Sequence, residues 1–125
     1  MKPREFGMRR IDSHLLGIDN GSELLFSHHE DGGLMWTGKG DREVRRAIRF
    51  SKRFRSLPAV IVNITLWDMD RSRNQRGDLC AENVTDAGFD LVFRTWADTK
   101  VARIRVDWTA LGEIDHPEDE AWGAY

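Results

Sequence analysis

Apolar and polar residues alternate through the last third of the chain with the period of half-buried β-strands. From Val101, the residues Ala102, Ile104, Val106, Trp108 and Ala110 fall on one side, and Arg103, Arg105, Asp107 and Thr109 on the other. Successive side chains of a strand point to opposite faces, so one side is core and the other solvent. The preceding run behaves alike: Phe89, Leu91, Phe93 and Thr95 share one face, Asp90, Val92, Arg94 and Trp96 the other. Strands are predicted near Ser22 to Ser27, Val44 to Phe50, Ala59 to Trp67, Gly77 to Val84, Gly88 to Trp96 and Val101 to Ala110. No long apolar stripe at helical spacing interrupts them. Short strands divided by turn clusters predict an all-β sandwich.

Two places in this pattern point beyond packing. Trp96 has outward parity beside charged groups at a strand end, where a flat ring is a platform for a ligand with an apolar face and polar edges, as a sugar has. In the run Ala59 to Trp67, Val60, Val62, Ile64 and Leu66 occupy one face. The second, with Ala59, Ile61, Asn63, Thr65 and Trp67, is only weakly polar. Such a strand wants cover on both sides, which predicts a homo-oligomer; a covering amino-terminal segment is the alternative.

Length and charge narrow the classes. With 125 residues the chain fits one domain, and the single Cys80 cannot form an internal disulfide, so packing must hold the fold. No apolar run approaches the roughly 20 residues of a membrane span, and Met1-Lys2-Pro3-Arg4-Glu5 lacks the apolar stretch of a secretory signal. A soluble chain with no membrane insertion is expected, with its compartment left open. The formal charge of −2 gives no global attraction to nucleic acid. Arg42, Arg45, Arg46, Arg49, Lys52, Arg53 and Arg55 nevertheless crowd one segment, readable as a solvated face or as a patch for anionic glycan. No nucleic-acid-reading module accompanies them.

The order of landmarks is itself distinctive: Ile48-Arg49-Phe50, Phe54 before Pro58-Ala59-Val60, Asp68, Arg76, Asn83-Val84-Thr85, Gly88-Phe89, Thr95-Trp96, Thr99-Lys100-Val101 and Trp108. From Arg42 to Gly112 this series resembles the H-type lectin domain. The resemblance implies a six-stranded antiparallel β-sandwich that assembles as a trimer and holds galactose- or N-acetylgalactosamine-like sugars in clefts between protomers, without metal. It divides the chain into an amino-terminal extension (1–41) packing on the sandwich, the lectin-like domain (42–112) and an acidic tail (113–125). Carried over by position, the family's sugar-binding Arg and Trp fall on Arg76 and Trp96, and its acid and Gly on Asp41 with Gly38 or Gly40. Ala97 stands where the family has a His and Ala102 where it has a Tyr, so two polar contacts to sugar are missing. Asp98 is the neighbour placed to accept hydroxyl hydrogen bonds instead.

These residue types suit a pyranose. A Trp ring meets its C–H face, an Arg fork binds adjacent oxygens, and Asp41 or Asp98 accepts from hydroxyls. The plainer readings are strand-end packing for Trp96 and, for Arg76, a surface ion pair with Asp68, Asp70 or Asp78. Other motifs fall away. The run from Asp68 begins like a calcium loop, but Arg73 occupies the Gly position and Leu79 the Glu position. Adjacent His28 and His29 lack ligand spacing and read as a turn before Gly32-Gly33. Arg76-Gly77-Asp78 is too short a match to an adhesion tripeptide to outweigh a turn, and the sequons at Asn20, Asn63 and Asn83 are expected to be unused. No Ser or Cys carries the context of a nucleophile and no Gly-rich loop cradles phosphate. The sequence therefore predicts a non-catalytic glycan-binding lectin, without metal or cofactor, acting as a homotrimer or higher multiple at a surface. The alternative is a structural or attachment subunit that keeps the trimeric sandwich without sugar binding.

Overall fold

The computed structural model describes residues 7–11 and 15–117. Six strands form two three-stranded antiparallel sheets packed face to face. In chain order they are β1 (Leu15–Phe26), β2 (Arg42–Arg49), β3 (Ala59–Met69), β4 (Asp78–Glu82), β5 (Gly88–Thr95) and β6 (Val101–Ile114). One sheet runs β1-β6-β3 and the other β2-β5-β4, so the two most regularly patterned strands of the sequence are the two central ones. Two single-turn helices, α1 (His28–Asp31) and α2 (Leu34–Thr37), join β1 to β2. Residues 118–125 of the acidic tail, and Met1 to Phe6, lie outside the described residues.

The core is what the alternation dictates. Phe89, Leu91 and Phe93 of β5 face Ile104, Val106, Trp108 and Ala110 of β6, all buried. Phe50, Phe54, Phe89 and Trp108 make an aromatic cluster at one end, with Phe50 and Phe54 edge to face at 5.0 Å and Phe89 and Trp108 at 5.5 Å. Phe26 closes the other end against Phe93 at 5.8 Å. Offset and edge-to-face contacts of this kind add about 0.5–1.5 kcal/mol each beyond area burial.

Two boundaries differ from the sequence reading for physical reasons. β1 starts at Leu15, seven residues before Ser22: Gly17, Asn20 and Gly21 depress strand propensity, but the two glycines are needed for close packing against Ile114 and Trp108. A Cβ on Gly21 would stand 2.6 Å from Trp108 Nε1, so only glycine lets β1 lie across that indole. In β3, the register shifts between Ile64 and Leu66, which brings Leu66 opposite Arg105 and Asp68 opposite Arg103. Directly opposed residues share a face, so Leu66 leaves the inward set. Val60, Val62, Ile64 and Met69 pack on the core. The outer side of the β1-β6-β3 sheet stays apolar at one end, where Ile18 is 61% and Ile61 51% exposed and Leu111 is paired in register with both Ile18 and Ala59.

Candidate functional site

β5 ends at Thr95, and the chain turns through Trp96 to Lys100 before starting β6. Ala97 adopts φ 59°, the left-handed conformation of a tight turn. Thr95 and Thr99 are buried on either side of it. Both hydroxyls are spent on the loop before β4: Thr95 Oγ1 donates to the Arg76 carbonyl, Thr99 Oγ1 donates to the Asn74 carbonyl at 2.6 Å, and the Arg76 amide donates back to Thr99 Oγ1 at 3.2 Å. Trp96 is left between these clips and is 40% exposed.

A second segment closes on the turn from the amino-terminal side. The Met35 amide donates to His28 Nδ1 at 3.0 Å, holding α1 and α2 together, and Gly40, at φ 75°, donates its amide to the Ala97 carbonyl at 2.9 Å. Arg42 is buried at 8% exposure and its guanidinium donates to the carbonyls of Gly40 (2.9 Å), Met35 (3.2 Å) and Ala97 (3.2 Å). Burial lowers its pKa below the usual arginine value. Nearby, Lys100 Nζ sits 4.4 Å above the Trp36 ring.

At this end of the β2-β5-β4 sheet lies an open cleft of about 590 Å³, lined by Asp41, Arg42, Glu43, Asp78, Arg94 and Trp96 among others. The exposed cation on its wall is already committed: Arg94 lies 2.9 Å from Glu43 and 2.7 Å from Glu82. Hydrogen bonds from Arg94 and then Arg45 hold the Glu82 carboxyl well below the usual 4.5, at about 2. The side chains of Asp41 and Asp78, by contrast, make no hydrogen bond or ion pair with any described residue.

Of the residues singled out from sequence, Trp96 and Asp41 face this cleft together. Arg76 and Asp98 are found beside it, paired with each other at 3.5 Å, and Asn74 Nδ2 donates to the same carboxylate at 3.2 Å. The partner of Arg76 is thus Asp98; Asp68 pairs with Arg103 at 2.9 Å and Asp70 accepts from the Ser72 turn. Gly38 and Gly40 belong to the loop that Arg42 ties down. Glu43, Asp78 and Arg94 were missed, although Arg94 shares the outward parity that singled out Trp96. Ala102 is buried at the start of β6. The basic run is largely paired rather than open to an anionic glycan: Arg45 is held by Glu82 and Asp90, Arg46 by Glu23, Arg53 by Asp86 and Arg55 by Asp115. Among the described residues no three His, Cys, Asp or Glu side chains converge as metal ligands, and no helix is long and apolar enough to cross a membrane.

Comparison with known proteins agrees with this architecture. The sequence profile of the H-type lectin domain matches residues 45–111. The chain is 49% identical over 104 residues, 83% of its own length and 90% of the relative's, to the ATP synthase subunits region ORF 7 protein of Fuscovulum blasticum. It is 40% identical over 75 residues to a discoidin-1 polypeptide of Dictyostelium discoideum, spanning 59% of this chain and 30% of that protein. In three dimensions discoidin II of the same organism superposes with a TM-score of 0.70 over 87% of this chain and 41% of the discoidin, at 24% identity. The β-sandwich, the matched strands and these relatives together place the chain in the H-type lectin domain family, whose members are non-catalytic carbohydrate-binding modules.

Proposed function

We propose that the cleft lined by Asp41, Asp78 and Trp96 is the carbohydrate site, and that it takes a galactose- or N-acetylgalactosamine-like residue of a surface glycan. The observation that carries this is the half-exposed Trp96 ring on a cleft wall next to Asp41 and Asp78, two carboxylates without partners among the described residues. A pyranose stacked on the indole presents its hydroxyls to those acceptors. Arg76 and Asp98 add a donor and an acceptor at the rim, and Gly38 and Gly40 shape the loop that brings Asp41 in. The binding module takes in β1 as well as residues 42–112, since β1 (Leu15–Phe26) pairs along β6 in the sandwich and β6 runs on to Ile114. The exposed apolar end of the β1-β6-β3 sheet, with Ile18, Leu111 and Ile61, supports assembly into a trimer through that face, which belongs to the sheet opposite the cleft and leaves the cleft open. Several weak sites on one particle then give avidity for attachment to a multivalent surface. A glycan array with wild type and Trp96→Ala tests the site: signal lost in a variant that still melts cooperatively is expected, and equal signal from both refutes it.

Ala97 favours a second reading. Its methyl group occupies the position where the family carries an imidazole, so the turn lacks one hydrogen-bonding side chain. On that reading the protein is a structural or attachment subunit, trimeric by light scattering and silent on the array.

A further inference from the structure

The buried polar or charged side chains among the described residues are Arg42, Thr95 and Thr99, and all three stand at the cleft end of the sandwich. The two threonines clip the 74–76 loop. Arg42 is different, because it is a buried charge with no carboxylate partner; its fork is satisfied by backbone carbonyls alone. Burying a charge is costly unless its hydrogen-bonding capacity is met. Here those bonds come from two segments remote in sequence: Leu34, Met35 and Gly40 on one side, Ala97 on the other. The Ala97 carbonyl receives a second donor, the Gly40 amide at 2.9 Å, so the two segments are tied at one oxygen by two bonds.

We infer that Arg42 is a positioning residue that sets the width of the binding cleft, by clamping the loop that carries Asp41 to the turn that carries Trp96. Asp41 is its immediate neighbour on the chain, and Trp96 immediately precedes the carbonyl it holds. A planar guanidinium with donors pointing in several fixed directions spans both segments at once; an ammonium, a compact point charge, does not reproduce that fork. Fixing the acceptor and the aromatic platform before ligand arrives spares the ordering cost that a loose loop pays on binding.

The inference rests on the carbohydrate reading for its binding arm only. In Arg42→Lys, which keeps charge and stem, exchange of the Gly40 amide should accelerate at least tenfold and the indole N–H resonance of Trp96 should shift, while amides in the centres of β5 and β6 keep their protection. Arg42→Gln, with a planar amide donor, serves if the lysine variant does not fold. On the glycan array, signal at the glycans bound by wild type should fall at least tenfold. Wild-type exchange at Gly40 with an unmoved Trp96 resonance overturns the clamp, as does undiminished array signal in a variant whose Gly40 exchange has accelerated. An array on which wild type and Trp96→Ala behave alike refutes the carbohydrate reading instead, and exchange and resonance, which need no ligand, still decide the clamp.

Discussion

Thr99 offers the sharpest test of how the site is held. Its side chain is buried, and its hydroxyl donates to the Asn74 carbonyl and accepts from the Arg76 amide. Thr99→Val preserves the shape and removes both bonds, leaving a carbonyl and an amide without partners. Each buried polar group left unpaired costs about 1–3 kcal/mol. The loop is partly reached by water, so the lower half of that range applies, about 2–4 kcal/mol for the two groups together. Thr99→Ser keeps the hydroxyl and loses one methyl group, worth about 0.8 kcal/mol. For a domain of this size 1 kcal/mol moves the thermal midpoint by roughly 4 °C. The valine variant should therefore melt about 8–16 °C below wild type and the serine variant about 3 °C below. Thermal unfolding by circular dichroism measures both, with hydrogen exchange at Arg76 locating the effect. A valine variant as stable as the serine variant would refute the reasoning, since the hydroxyl would then carry no net stability.

Gly88 leads β5 because a Cβ there would collide with the Ile48 carbonyl of β2. Gly88→Ala should lower stability by about 1–3 kcal/mol, the usual cost of overpacking, read as a shift in the urea midpoint. The folded Glu82 pKa of about 2 lies below the usual 4.5, so its ion pairs stabilise the protein fully above the higher value and lose that contribution as pH falls toward the lower. Glu82→Gln should therefore narrow its stability deficit against wild type between pH 5 and pH 2, and a deficit constant across that window would count against the network. With Arg94 neutralised by Glu43 and Glu82 while Asp41 and Asp78 stand unpaired, the cleft should bind neutral glycans and reject sialylated or sulfated ones, with little weakening between about 0.05 and 0.5 M salt. Strong, salt-sensitive binding to sulfated glycans would contradict it.

Strand parity made much of this fold legible. The alternation in β5 and β6 identified the core faces of these strands and placed Trp96 outside the core, since period-2 burial is a local property of the sequence; that they are the two central strands came from the sheet order. What escaped was set by contacts distant along the chain. The start of β1 was hidden because Gly17 and Gly21 look like strand breakers until Ile114 and Trp108 are seen packed against them. The change of face at Leu66 comes from a register shift against β6, which no reading of β3 alone reveals. Several landmarks in the sequence acquire a mechanical meaning only in the structure. Thr85 Oγ1 accepts from the amides of Ala87 and Gly88 to shape the turn into β5, and the Phe50 and Phe54 amides donate to the carbonyls of Ala87 and Asp86 in that turn.

Charge was the least legible property, for a reason this chain makes plain. A cluster of like charges in sequence is a patch only if its counterions are solvent, and pairing is decided across strands. Arg45 stands on β2, yet its carboxylates come from Glu82 on β4 and Asp90 on β5; Arg46 finds Glu23 on β1, and Arg55 finds Asp115 just beyond β6. The run that looked like a surface for anions is therefore largely self-neutralised. Arg42, counted with that run, is buried at the edge of the cleft and becomes a tie between two loops. In the site proposed above, the side chains left to meet a ligand are Asp41, Asp78 and Trp96, a set suited to hydroxyl-rich, uncharged partners.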